Sequence, residues 1–209
     1  MLKQQINPKE FVENIYNFFS LEKDKEQSYI CSELTWNEYE SILDALIDNS
    51  WCKTSYLDGV LKLVSPSKNH EIAKGKIRAL LEAYCDHLEI DYFAMGSTTL
   101  KQKDKSSGKE PDESYCFNIL KDIPDLAIEV IESSGSSEDL EKYLRLSVKE
   151  VWFWQKNRLE VYVNQGDRYI QQTTSHCLPN LNLELLASLI KQINTGNLRL
   201  LKKQFISQL

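Results

Sequence analysis

The segment EPDESYCFNILKDIPDLAIEVIESSG, residues 110–135, holds two Pro-Asp pairs, each opening an apolar run, and one glutamate inside the second run. A run as apolar as Leu126-Ala127-Ile128-Glu129-Val130-Ile131 reads as a strand covered on both faces, where a carboxylate needs a partner. Side chains alternate along a strand, so Asp125, Ala127, Glu129 and Ile131 share one face while Leu126, Ile128 and Val130 take the other. If a strand beginning at Asp112 pairs with this one, Asp112 and Glu129 come close enough to ligate one hard cation, Mg2+ or Mn2+. Such an ion lowers the pKa of a bound water and shields a phosphodiester, which is the chemistry of phosphate-ester hydrolysis. Each acid also has a plainer reading. Pro-Asp pairs open turns, which suits Asp112 and Asp125, and Glu129 can be half of a buried ion pair with Lys or Arg.

The elements that must hold these residues follow from periodicity and turn signals. Residues 8–20 read as a helix with Pro8 in its first turn. TWNE, residues 35–38, is a capping box that opens a second helix with Tyr39, Ile42, Leu43 and Leu46 on one face. Two strand-like runs around Asp58-Gly59 predict a hairpin. Over residues 69–88, Ala73, Ile77, Leu80, Leu81, Tyr84 and Leu88 recur at helical spacing, with His70, Glu71, Lys74 and Arg78 along one flank. IDYFAMGSTTL reads as a strand, KQKDKSSGKE (101–110) as a loop, and strands are expected near 113–120 and 125–131. A helix over about 137–146 precedes EVWFW and RLEVYV. These two are expected to pair antiparallel through a turn at Lys156-Asn157, with Trp152 and Trp154 on one face and Phe153 on the other. RYIQQTTS reads as a further strand, and the apolar pattern from Leu181 onward is helical. The expected organisation is one α/β domain over 49–209 with a helical N-terminal extension over 1–48.

Composition narrows the function classes. With 209 residues, 42% of them hydrophobic, the chain can build one sizeable core, and no apolar run approaches the roughly 20 residues of a membrane helix. The opening MLKQQINPKEFVENIYNFF lacks the apolar centre of a signal peptide, so a cytoplasmic location is expected. Five scattered cysteines without a CxxC pair, and three dispersed histidines, argue against a disulfide scaffold and a structural zinc site. A net charge of −6 argues against coating nucleic acid by bulk electrostatics. Contact with DNA then needs a local patch, and Lys101, Lys103, Lys105 and Lys109, crowded before Asp112, are the candidates for phosphate contacts.

SYLDGVLKLVSPSKNHE, EPDESY, PDLAIEV and YLRLSVKEVWFW, in that order, resemble the Uma-type restriction endonucleases of the PD-(D/E)xK nuclease superfamily, over about residues 50–190. The resemblance implies a restriction-endonuclease-like fold, a mixed central sheet flanked by helices, and a magnesium-dependent DNA endonuclease. Asp112 and Glu129 would be its metal ligands, and Glu71, at the start of the long helix, an auxiliary acid. The superfamily's lysine two residues after the glutamate falls on Ile131. The family's lysine four residues before the tyrosine of the next helix falls on Asp139. Lys142, three residues further on nearly the same helical face, is the candidate to replace it as the catalytic lysine, or else a surface charge beside Glu138 and Glu141. Cutting two strands suggests a homodimer. The missing lysines leave open an alternative from another class, a catalytically inactive nuclease-fold module that binds DNA or protein.

Overall fold

The computed structural model describes residues 6–20, 25–46, 51–132, 136–192 and 197–209. Helix α1 (Pro8–Phe19) starts on an Asn7 cap with Pro8 at its first position and buries Val12, Ile15 and Phe19. Strand β1 (Gln27–Cys31) follows, then α2 (Trp36–Leu46). The capping box forms as expected: Thr35 Oγ1 accepts from the Glu38 N–H at 3.3 Å, and the Glu38 carboxylate accepts from the Thr35 N–H at 2.7 Å. Strands β2 (Lys53–Leu57) and β3 (Val60–Ser65) form the hairpin, turning on Asp58 and Gly59 at φ 46° and 89°. The N-terminal segment is not wholly helical, because β1 pairs antiparallel with β3 along its full length, Gln27 opposite Ser65 and Cys31 opposite Leu61.

Helix α3 (Lys68–His87) leads to β4 (Tyr92–Ala94), β5 (Leu100–Gln102), β6 (Ser107–Lys109), β7 (Glu113–Phe117) and β8 (Leu126–Ile131). After α4 (Ser136–Arg145) come β9 (Glu150–Gln155), β10 (Arg158–Asn164), β11 (Tyr169–Gln172), α5 (Leu183–Ile190) and α6 (Leu198–Ile206). The strands make two sheets rather than one central sheet. A wholly antiparallel sheet runs β1-β3-β2-β6-β5, and a mixed sheet runs β11-β10-β9-β8-β7-β4 with β8 and β9 parallel.

The stretch expected to be a loop at 101–110 is a 3-10 turn held between β5 and β6. Its Lys, Ser and Gly residues have low strand propensity, but β6 gains ladder bonds from β2 on one side and β5 on the other, and pairing outweighs propensity. Gly108 is required there: a Cβ would lie 2.2 Å from the Tyr39 hydroxyl of α2. With Gly108 facing α2, strand alternation turns Ser107 and Lys109 to the opposite face.

Strands β8 and β9 at the centre of the larger sheet are buried on both faces, as the apolar run of β8 predicted. Leu126, Ile128, Val130, Trp152 and Trp154 join the core beneath α3, α5 and α6. Ala127, Val151 and Phe153 pack with Tyr143 and Leu146 of α4. The pairing of β9 with β10 and the turn at Lys156 and Asn157, φ 49° and 59°, are as expected, and so is the division of the two tryptophans from Phe153. Among the described residues, no helix is long and apolar enough to cross a membrane.

At the start of β9, Glu150 is fully buried and binds four donors. Its Oε1 accepts from Trp152 Nε1 at 2.5 Å and Ser175 Oγ at 2.6 Å, and its Oε2 from the N–H groups of His176 at 2.6 Å and Cys177 at 2.9 Å. Glu150→Gln sets an amide NH2 against donors and is expected to cost about 3 kcal/mol. In a chain of this size that is a fall of roughly 6–12 °C in Tm, measurable by calorimetry. A fall of under 2 °C would show that the clamp is not holding the 173–178 loop.

Candidate active site at the seam of the two sheets

Only three residues separate the last strand residue of β6, Lys109, from the first of β7, Glu113, so the chain crosses from the smaller sheet to the larger at Glu110-Pro111-Asp112. Pro111 offers no N–H to either ladder, which suits a crossing point. Glu110 anchors the crossing: its carboxylate accepts from Thr54 N, Thr54 Oγ1 and Thr99 Oγ1, each at 3.0 Å. On the far side, β7 pairs with β8 with Glu113 opposite Ile128. Just before that ladder, the Asp112 N–H donates to Ile128 O at 3.1 Å. Both carboxylates line one small cavity of about 60 Å³, together with Lys53, Lys62, His70, Lys109 and Asp139.

Each acid is held by its own donors. Asp112, 1% exposed, accepts from the Val130 N–H through Oδ2 at 2.7 Å, and through Oδ1 from His70 Nε2 at 2.9 Å and from the Lys53 ammonium. His70 is placed by the first turn of α3, where its N–H donates to the Ser67 cap at 3.1 Å. Burial opposes ionisation of Asp112, but Lys53 and His70 override it and hold the carboxyl well below the usual range. Asp112 in turn lifts the His70 pKa against the opposing effect of burial.

Glu129, 5% exposed, accepts from the Tyr143 hydroxyl of α4 and pairs with Lys109 Nζ at 3.1 Å. Burial, reinforced by the charges of Asp112 and Asp139, outweighs Lys109 and pushes its pKa up to about 7. Lys109 also pairs with Asp139 Oδ1 at 3.4 Å. Burial alone would lower the Lys109 pKa, and the Asp139 and Glu129 carboxylates raise it instead.

The other candidates lie around this centre. Lys142 is 1% exposed and bonds Glu138 at 3.1 Å and Asp139 at 3.2 Å, so it stands one ion pair away from Glu129 and does not line the cavity. It is not a surface charge either. Glu71 lies on α3 with its carboxylate 3.6 Å from Lys74, and lines a neighbouring cleft of about 830 Å³ instead of the cavity. Lys101 borders that cleft and pairs with Glu40 at 2.9 Å, whereas Lys103 and Lys105 border neither space. Asp125 is a strand-entry residue bound to Lys121, to Lys149 at 2.7 Å and to the Phe117 N–H at 2.9 Å.

Sequence reasoning did not single out Lys53 or Tyr143, and it placed His70 only on a helix flank. Each is a lone residue on its own element, and only the fold brings them to the two acids. Among the described residues, no three His, Cys, Asp or Glu side chains are arranged around a common ion position. Two carboxylates suffice for Mg2+, which is commonly held by one or two acids plus water and substrate phosphate oxygens. The donors are hard carboxylate oxygens lining one cavity, which suits such an ion.

No curated protein matches the chain. The model of the Uma2 family, described as Putative restriction endonuclease, matches residues 36–194, which includes α2, every strand except β1 and every residue of the cavity except Glu26. The chain belongs to the Uma2 family of restriction-endonuclease-like proteins.

Proposed function

We propose that the protein is a divalent-metal-dependent DNA endonuclease that hydrolyses phosphodiester bonds in the cavity between Asp112 and Glu129. The observation that carries this reading is the convergence of the Asp112 and Glu129 carboxylates with Lys53, Lys62, Lys109 and His70 in one small space. When bound, Mg2+ or Mn2+ would supply a water of lowered pKa and shield the phosphodiester charge. Asp112 and Glu129 would hold it. His70 and the Val130 N–H fix Asp112, and Tyr143 fixes Glu129, so both acids are oriented before substrate arrives. The wider cleft shares Lys53, Thr54 and Glu110 with the cavity and carries Lys74 and Lys101 on its walls, which suits a phosphate backbone led toward the acids.

A second reading, a nuclease fold without turnover that binds DNA, draws on one specific observation: each acid already has a protein cation, and Asp139 stands where the resemblance leads one to expect a lysine. Supercoiled plasmid separates the two. The first reading expects nicking or linearisation with Mg2+ or Mn2+ that EDTA stops. A shift of plasmid mobility without cutting would favour the second, and neither binding nor cutting would contradict both.

A further inference from the structure

We infer that Lys109 is the catalytic lysine of this site, the ammonium that contacts the scissile phosphate and the attacking water. The inference rests on the endonuclease reading above. Neither residue at which a lysine would be looked for can do this, since Ile131 is apolar and Asp139 is an acid. The strand position before the seam supplies one instead. Lys109 Nζ is 3.1 Å from Glu129 Oε1 and lines the same cavity as Asp112. Asp139, the acid at the α4 position, lies 3.4 Å from that ammonium on its other side. The exchange preserves the charge pattern while moving the cation from helix to strand.

The placement is rigid. Lys109 ends a strand paired on both sides, opposite Ser55 and Leu100, and its neighbour Gly108 is wedged against Tyr39. Its ammonium also lies 6.0 Å from the centre of the Tyr143 ring, the side chain that donates to Glu129. An ammonium has three N–H donors. Glu129 and Asp139 take two, and the third remains for a phosphate oxygen or the attacking water beside Glu129. In the step, a water oxygen forms a bond to phosphorus and gives its proton to solvent. One P–O ester bond breaks, and its oxygen takes a proton from solvent, so Lys109 stays protonated and stabilises the charge that builds on the phosphoryl oxygens. Lys142 cannot do this directly, because Asp139 lies between its ammonium and the cavity.

The test compares wild type with Lys109→Met and Lys109→Gln, the latter able to keep hydrogen bonds to Glu129 and Asp139 if the Met variant does not fold. Plasmid cutting is read beside the rise in Tm on adding Mn2+, which reports the metal site without turnover. Cutting is expected to fall about 100-fold or more while the Mn2+ response is retained. Cutting within threefold of wild type overturns the inference but leaves the endonuclease reading standing. Loss of both the Mn2+ response and cutting would mean that Lys109 acts only by shaping the metal site, and also overturns it. A wild type that neither responds to Mn2+ nor cuts removes the endonuclease reading itself, and this inference with it.

Discussion

Asp112→Asn is expected to abolish plasmid cutting and to destabilise the metal-free protein by about 3 kcal/mol. The carboxylate it removes is buried and bonded to Lys53, His70 and the Val130 N–H. Asparagine keeps an acceptor for the Val130 amide but not the negative charge, so Lys53 and His70 are left facing one another without a counter-ion. Lys53 still has Pro111 O at 3.2 Å and a partly open side chain, which limits the cost. The pH dependence shifts as well. A carboxyl held below its unfolded pKa contributes stability above the unfolded value, and that contribution is lost as pH falls through the folded one. Wild type should therefore lose stability on acidification below about pH 4, and Asp112→Asn should lose less. Denaturant unfolding at pH 7 and pH 3 measures both effects. A variant as stable as wild type at pH 7 would show that the Lys53 and His70 contacts contribute nothing.

Glu129→Gln should behave oppositely. With its pKa pushed up to about 7, Glu129 takes up a proton on folding. The resulting stability is complete below its unfolded value of 4.5 and is lost as pH rises through about 7. Glutamine mimics the protonated form and does not titrate. The variant should therefore match wild type below about pH 4.5, gain on it as pH rises toward 7 by at most about 1.4 kcal/mol per pH unit, and hold a constant advantage above that. Lys109 keeps Asp139 as a partner when Glu129 is neutralised, so the ion pair does not leave an isolated cation. A divalent ion reverses the advantage, because it suppresses protonation of the wild-type carboxyl and has one ligand fewer in the variant. If Glu129→Gln instead loses several kcal/mol at every pH, the glutamate is structural, an anion kept for Lys109.

The parity of β8 was legible because five of its six residues are apolar and only Glu129 interrupts them. Both hairpins were legible because Asp58-Gly59 and Lys156-Asn157 occupy turns whose positive φ values few residue pairs tolerate. The strands β5 and β6 were not legible. They are three residues long, rich in Lys, Ser and Gly, and exist only because β2 is already present to pair with β6. That omission mattered most for the site, since reading 101–110 as a loop makes Lys109 one of four surface cations, whereas strand β6 carries it to Glu129. The Asp112–Glu129 pair came from adjacent strands and could be anticipated from spacing. Lys53, His70 and Tyr143 arrive from β2, α3 and α4, and no local pattern links those positions.

In the proposed endonuclease, Asp112 and Glu129 hold one divalent ion jointly. Electron paramagnetic resonance of free Mn2+, titrated at pH 7.5 into wild type, Asp112→Asn and Glu129→Gln, measures this without DNA or turnover. One bound ion per wild-type chain is expected, with binding weakened at least tenfold in each variant. Wild-type protein that leaves all Mn2+ free, or variants that bind it as well as wild type does, would contradict it.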